Sequence, residues 1–94
     1  MRRVELDAYL RLLETFQSGR ISAEDFETDY LALFKSDNRL FPENVFRILN
    51  QLFSDVDMFV SNPEIRGLRD LDHSQLLECS RKAFEALANL LDDA

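Results

Sequence analysis

The sequence contains few of the residues that build turns and cross-links. Two glycines, two prolines and one cysteine occur among its 94 residues. Because sheets of β-strands need frequent turn residues, this scarcity argues against an all-β fold. The one cysteine, Cys79, has no second thiol in the chain, so we expect no internal disulfide, as in a reducing compartment.

Long apolar runs are also missing. No stretch approaches the roughly 20 apolar residues that a membrane span requires. Acidic residues follow Arg2 and Arg3 and interrupt the apolar stretch that a secretory signal would need. We therefore expect a cytoplasmic protein.

Negative charge is in excess. The formal net charge is −7 and the isoelectric point is about 4.5. Nucleic acids and anionic membranes are poor direct partners for such a chain, because affinity for them depends largely on Lys and Arg. A basic protein is the natural complement. The alternative is that the charge only keeps the domain soluble.

Apolar residues recur at helical spacing in four windows. We predict helices over residues 4–18, 22 to 35–37 and 42–61, and a last helix that starts at 72 or 73. Gly19 fits the left-handed position after a helix end, and Ser22 fits an N-cap. Pro42 suits a first helical turn, whereas Pro63 disfavours helical geometry at Asn62. In the connector between the third and the last helix, residues 62–67 could form a single helical turn.

Four amphipathic helices with short connections, in a chain large enough for one core, predict a single domain over residues 1–94. The expected fold is all-α, an antiparallel up-down-up-down four-helix bundle.

Residues that could carry catalysis or hold a metal are isolated. His73 is the only histidine and, near a helix start, suits a surface or capping role. Cys79 lies near the apolar stripe of the last helix and is interpreted as a small buried side chain rather than a nucleophile. Asp55 and Asp57 resemble the start of a calcium loop, but Val60 stands where its sharp turn needs glycine. We expect no enzymatic activity, no metal and no cofactor.

The acidic residues concentrate in two regions. Residues 21–41 hold five acids and two bases, a net charge of −3, and residues 54–72 hold the same numbers. The second region includes the connector after the third helix, and loops with exposed charge favour recognition. The acids that we predict to bind a partner are Glu24, Glu27, Asp55, Asp57, Glu64, Asp70 and Asp72.

Two runs of sequence resemble a known family. The first is Gly19-Arg20-Ile21-Ser22-Ala23-Glu24-Asp25-Phe26-Glu27, followed by Tyr30-Leu31 and Phe34-Lys35. The second is Leu52-Phe53-Ser54-Asp55-Val56-Asp57-Met58-Phe59, followed by Asn62-Pro63-Glu64-Ile65-Arg66. In this order, within roughly residues 6–91, they resemble the colicin D immunity family of bacterial self-protective colicin-like immunity proteins. Similar proteins serve in contact-dependent growth inhibition.

The resemblance implies a four-helix bundle that binds and neutralises a cognate bacterial nuclease toxin, which cleaves tRNA in the colicin D case. It implies a 1:1 complex in which an acidic surface covers the basic RNA-binding cleft of the toxin. Matched by motif, the toxin-binding acids are Asp55, Asp57 and Glu64. Asn62 departs from the family pattern, in which many members have Asp before the proline.

An interface of this kind needs an apolar anchor among the acids. Leu31, Met58 and Phe59 are candidates, and each also suits ordinary packing within the bundle. The alternative function is an acidic helical adaptor or regulatory module that binds proteins unrelated to toxin immunity. An adjacent toxin reading frame would favour immunity over this alternative.

Overall fold

The computed structural model describes residues 6–38, 40–60, 64, 65, 67 and 70–92. It contains four α-helices: α1 (Asp7–Gln17), α2 (Ala23–Ser36), α3 (Glu43–Asp57) and α4 (His73–Asp92). Among these residues no strand occurs, and the β-pairing is an isolated bridge between Phe59 and Leu71. The predicted all-α four-helix bundle is confirmed. The predicted helical residues 4 and 5, and much of the turn predicted over 62–67, lie outside the described residues.

Local sequence signals set the ends of α1 and α2. Gly19 has a φ of 79°, the left-handed conformation that lets the chain leave α1. The Ser22 hydroxyl caps α2 by accepting the backbone N–H of Asp25 at 3.1 Å. Both predictions are confirmed, and α2 ends at Ser36, within the predicted range. Pro42 is the N-cap of α3, one position before the first turn in which we expected it.

The predicted end of the third helix near Ser61 is wrong. α3 ends at Asp57, and Met58 is its C-cap. The backbone N–H of Val60 donates to Leu71 O at 3.0 Å, and the N–H of Leu71 donates to Met58 O at 2.8 Å. Because these bonds to the connector replace the next helical turn, the chain leaves the helix about four residues early.

The four helices enclose one apolar core. Its large, fully buried side chains are Leu6, Tyr9, Leu13, Phe16, Phe26, Tyr30, Leu49, Leu52, Val56, Leu76 and Leu87. Fully burying an apolar side chain of this size contributes about 1.5–3 kcal/mol. Ser80 is a buried polar residue that the sequence pattern did not predict, and its hydroxyl donates to Leu77 O at 2.7 Å.

Contacts between helices indicate that neighbours run in opposite directions. Phe16, near the end of α1, stacks on Phe26, near the start of α2, with ring centroids 4.4 Å apart. Towards the other end, the Tyr9 hydroxyl donates to Asp37 Oδ2 at 2.9 Å. The Phe16 ring also lies 5.6 Å from the ring of His73, the first residue of α4. The up-down-up-down order stays a prediction, which these contacts support.

Candidate functional site

Acidic side chains of α2 and α3 meet at one end of the bundle. Glu24 and Glu27 lie in the first turns of α2, and Asp57 is the last residue of α3. The charges of Asp57 and Glu24 both act on Glu27, which makes the three carboxylates one electrostatic cluster across the two helices. We call this cluster of Glu24, Glu27 and Asp57 the acidic end.

The negative charges of the acidic end repel one another. Partial burial raises the pKa of Glu27, and repulsion from Asp57 and then from Glu24 raises it further. Both effects disfavour the ionised carboxylate. Glu24 is favoured by the positive end of the α2 dipole, but Asp57 lies at the negative end of α3, where an acid is disfavoured. The fold therefore gains no stability from the charge of Asp57.

Asp55 faces away from the acidic end. Residues two apart on a helix are separated by about 200° of rotation, so Asp55 and Asp57 lie on nearly opposite sides of α3. The Gln51 Nε2 group donates to Asp55 Oδ1 at 3.1 Å, and the Cys79 thiol of α4 hydrogen-bonds to the Asp55 carboxylate. The structure thus separates two acids that are only two positions apart in the sequence.

The remaining predicted acids follow α3, and two of them have local structural roles. Asp70 Oδ2 accepts the backbone N–H of Gly67 at 2.7 Å. Asp72 caps α4: its Oδ1 accepts the N–H of Gln75 at 2.8 Å, while Gln75 Oε1 accepts the N–H of Asp72 at 2.9 Å. Glu64 lies exposed in a turn.

The bridge at Leu71 brings the connector next to α3. The N–H of Leu71 bonds to the carbonyl oxygen of Met58, the residue that follows Asp57. Asp70 and Asp72 flank Leu71, so both lie near the end of α3. The structure therefore places Asp57, Asp70 and Asp72 near the end of α3, and it leaves Asp55 on the other side of the helix.

The candidate apolar anchors differ in exposure. The Phe59 side chain is 6% exposed and belongs to the core, so its prediction as an anchor is wrong. The reason is the bridge to Leu71, which turns this part of the chain back onto the bundle. Leu31 is half-buried against the core, whereas Met58 is 39% exposed beside Asp57 and stays available.

A groove of about 380 Å³ runs between α3 and α4, and sequence reasoning missed it. Its lining consists of Arg47, Ile48, Gln51, Leu52, Asp55, Cys79, Lys82, Ala83 and Ala86. Small side chains at 79, 83 and 86 share one face of α4, and their spacing is the signal that could have found it. We call this feature the α3–α4 groove.

Neither Cys79 nor His73 has the surroundings of a reactive group. Burial, and then the charge of Asp55, raises the pKa of the Cys79 thiol to about 11. The thiol is therefore protonated at neutral pH and is a weak nucleophile. His73 is exposed and lies edge-on to Phe16. Within the described part of the chain, no group of three or more His, Cys, Asp or Glu side chains could hold a metal ion.

The sequence profile of the bacterial self-protective colicin-like immunity family matches residues 4–90, nearly the whole chain. The chain belongs to this family. No curated protein and no solved structure matches the chain. The resemblance to the bacterial self-protective colicin-like immunity family is thus confirmed, and the closer likeness to colicin D immunity stays a prediction.

As a colicin-like immunity protein, the chain serves in immunity to a cognate toxin. Membership of this family indicates an inhibitor that works by binding rather than by catalysis. No helix in the ranges that the structure describes has the length and apolar character to cross a membrane.

Proposed function

We propose that this immunity protein neutralises a cognate nuclease toxin by covering its basic RNA-binding cleft with the acidic end and the neighbouring acids of the connector. Membership of the immunity family supports binding to a toxin, and the resemblance to colicin D immunity favours a tRNA-cleaving ribonuclease. The complex is 1:1 and forms in the bacterial cytoplasm. A ribonuclease must present Lys and Arg to the phosphates of its substrate, which makes an acidic inhibitor a natural competitor.

The observation that carries this proposal is the meeting of Glu24, Glu27 and Asp57 across α2 and α3. In the free protein, burial first and then repulsion from Asp57 and Glu24 raise the pKa of Glu27, so its ionised carboxylate is disfavoured there. A cationic cleft placed over them replaces repulsion by attraction. The acids therefore favour the bound state over the free state, which an acid paired within the fold would not do.

The charge of the protein also acts before contact. With a net charge of −7, the inhibitor is drawn towards a basic cleft over a distance set by the ionic strength. Association of oppositely charged proteins reaches about 10⁸–10⁹ M⁻¹s⁻¹ at low salt, against about 10⁵–10⁶ M⁻¹s⁻¹ without steering. Fast binding matters for a cell that makes the toxin itself.

The first experiment measures association with the nuclease domain of the cognate toxin, over a range of salt concentrations. The double variant Glu27→Lys/Asp57→Lys reverses two charges of the acidic end, and Glu14→Lys/Glu85→Lys makes the same change in net charge at exposed positions of α1 and α4. We expect the first pair to slow association about 10–100-fold at low salt and the second pair much less. Equal effects of the two pairs would show that net charge, and not the acidic end, directs binding.

The second experiment tests the nuclease activity and the stoichiometry. Toxin is incubated with tRNA and increasing amounts of the immunity protein, and cleavage is followed on a gel. We expect cleavage to stop at one equivalent and co-expression to restore growth. A toxin that leaves RNA intact, or protection that needs two equivalents, would reject the corresponding part of the proposal.

A further inference from the structure

The α3–α4 groove is apolar at its base and charged at its edges. Ile48, Leu52 and Ala83 contribute carbon to its lining, while Asp55 and Lys82 contribute opposite charges from the two helices. Its volume of about 380 Å³ falls in the lower part of the roughly 300–1,000 Å³ range of ligand pockets. A space of this size suits one or two side chains of a partner protein.

The cations beside the groove differ in their partners. Arg47 is held by Glu43, with Nη2 and Oε1 2.7 Å apart. Lys82 forms no ion pair with any residue that the structure describes, although its charge acts on Cys79. Since Arg47 is neutralised locally, Lys82 and Asp55 remain as one positive and one negative edge. The groove is thus a nearly neutral, apolar place on a strongly acidic protein.

Asp55 connects the groove to the proposed toxin surface. It belongs to the same short motif as Asp57, yet it lines the groove on the other side of α3. A toxin that contacts both acids must therefore reach around the last turn of α3 to the edge of the groove. The groove therefore reaches the same last turn of α3 that carries Asp57, on the opposite side of the helix.

We propose that the α3–α4 groove receives an apolar side chain of the cognate toxin, carried next to a basic residue that pairs with Asp55. This inference rests on the proposed function. Acidic residues steer the encounter, but tight complexes also need a desolvated apolar anchor seated in a pocket. Phe59 is buried in the core, and Met58, the exposed anchor candidate, is absent from the lining of the groove. In the groove, the immunity protein therefore supplies the pocket and the toxin supplies the anchor.

A second copy of this chain is the weaker candidate for the occupant. Each copy carries a charge of −7, so two copies repel each other. A basic toxin carries the charge that complements Asp55, and it brings its own apolar side chains to the contact. The net charge of the protein and the position of the groove at the last turn of α3 therefore both favour the toxin.

The decisive variant is Ala86→Leu, which places a larger apolar side chain in the groove. Leu keeps the helix stable, because its helix propensity is close to that of Ala. Ala32→Leu is the matched control, on an exposed position of α2 away from the groove. With the nuclease domain of the cognate toxin, we expect Ala86→Leu to raise the dissociation rate at least tenfold. Its association rate and salt dependence should stay unchanged, and Ala32→Leu should alter neither rate.

Alkylation of Cys79 gives a readout that needs no variant. The free protein is treated with N-ethylmaleimide at mildly alkaline pH, and the labelled fraction of Cys79 is measured by mass spectrometry. If the groove is filled, saturating toxin slows labelling at least fivefold. Lysozyme, a basic protein that is not the cognate partner, should leave the labelling rate unchanged.

The outcomes separate this inference from the proposed function. The groove proposal is overturned if Ala86→Leu dissociates within twofold of the unmodified rate and Cys79 is labelled as fast in the complex as in the free protein. In that case, salt-dependent binding through the acidic end still stands. A dimer of the free protein in sedimentation that Ala86→Leu dissociates would assign the groove to a second copy, which also overturns the inference. Failure of the unmodified protein to bind overturns both.

Discussion

Replacing Asp57 with Asn should stabilise the free protein and at the same time weaken its binding to the toxin. Asp57 is exposed at the end of α3, where the negative end of the helix dipole disfavours an acid, and its charge raises the pKa of Glu27. Asn keeps the shape of the side chain and removes the charge. An exposed charge at a helix end is worth about 0.3–1 kcal/mol, so we expect a gain of about 0.5 kcal/mol in the free energy of unfolding.

The stability gained by Asp57→Asn depends on pH, and its direction follows from the raised pKa of Glu27. The pKa of Glu27 is raised in the folded protein, so the folded state binds a proton more readily than the unfolded state. Ionisation of Glu27 therefore lowers stability as the pH rises above the usual value of 4.5, and the penalty disappears as the pH falls below it. The gain from Asp57→Asn should be complete at pH 7 and vanish near pH 3, where Glu27 carries no charge for Asp57 to repel.

Urea unfolding measures this change directly. With a slope of about 1–3 kcal/mol per M, the unfolding midpoint should rise by about 0.2–0.5 M at pH 7. Asp29→Asn, at an exposed position in the middle of α2, is the control and should leave the midpoint nearly unchanged. A lower midpoint for Asp57→Asn, or a gain that persists at pH 3, would refute the electrostatic reasoning. An unchanged association rate with the toxin would remove Asp57 from the proposed interface.

Three further predictions concern single contacts. Tyr30→Phe removes the buried hydrogen bond to Leu49 O and should lower the free energy of unfolding by about 1 kcal/mol in urea; no change would mean that the bond adds nothing. Asp72→Ala should lower the free energy of unfolding by about 1 kcal/mol, because it removes the cap of α4. Asp72→Ser keeps a capping oxygen, so the toxin affinity of this variant tests the charge alone. Alkylation of Cys79 should accelerate about tenfold per pH unit up to about 11, and Asp55→Asn should accelerate it at pH 8; a rate independent of pH would contradict the raised pKa.

The features that were predictable from the sequence depend on neighbours in the chain. Ser22 caps α2 because its hydroxyl and the N–H of Asp25 are three residues apart. Gly19 was predictable as the end of α1 because glycine, which has no Cβ, adopts the left-handed conformation whatever its neighbours are. Helical spacing likewise predicted four amphipathic helices before their packing partners were known.

The features that were missed depend on partners distant in the sequence. The end of α3 was placed too late because apolar spacing continues through Phe59 and Val60, and the pairing with Leu71 leaves no local signal. The opposite directions of Asp55 and Asp57 follow from helix geometry, but which neighbour each one faces requires the packing of all four helices. The α3–α4 groove was missed for the same reason.

The hydrogen bonds of Leu71 with Met58 and Val60 have a consequence for how this family can vary. They join Met58 and Val60, which precede the segment 61–69, to Leu71, which follows it. Lengthening a closed loop costs little, about 0.6 kcal/mol for each doubling of its length. An insertion between Val60 and Asp70 therefore adds little to the free-energy cost of closing this segment. An immunity protein that must match a changing toxin has, in this segment, a place where the recognition surface can change while the four helices stay as they are.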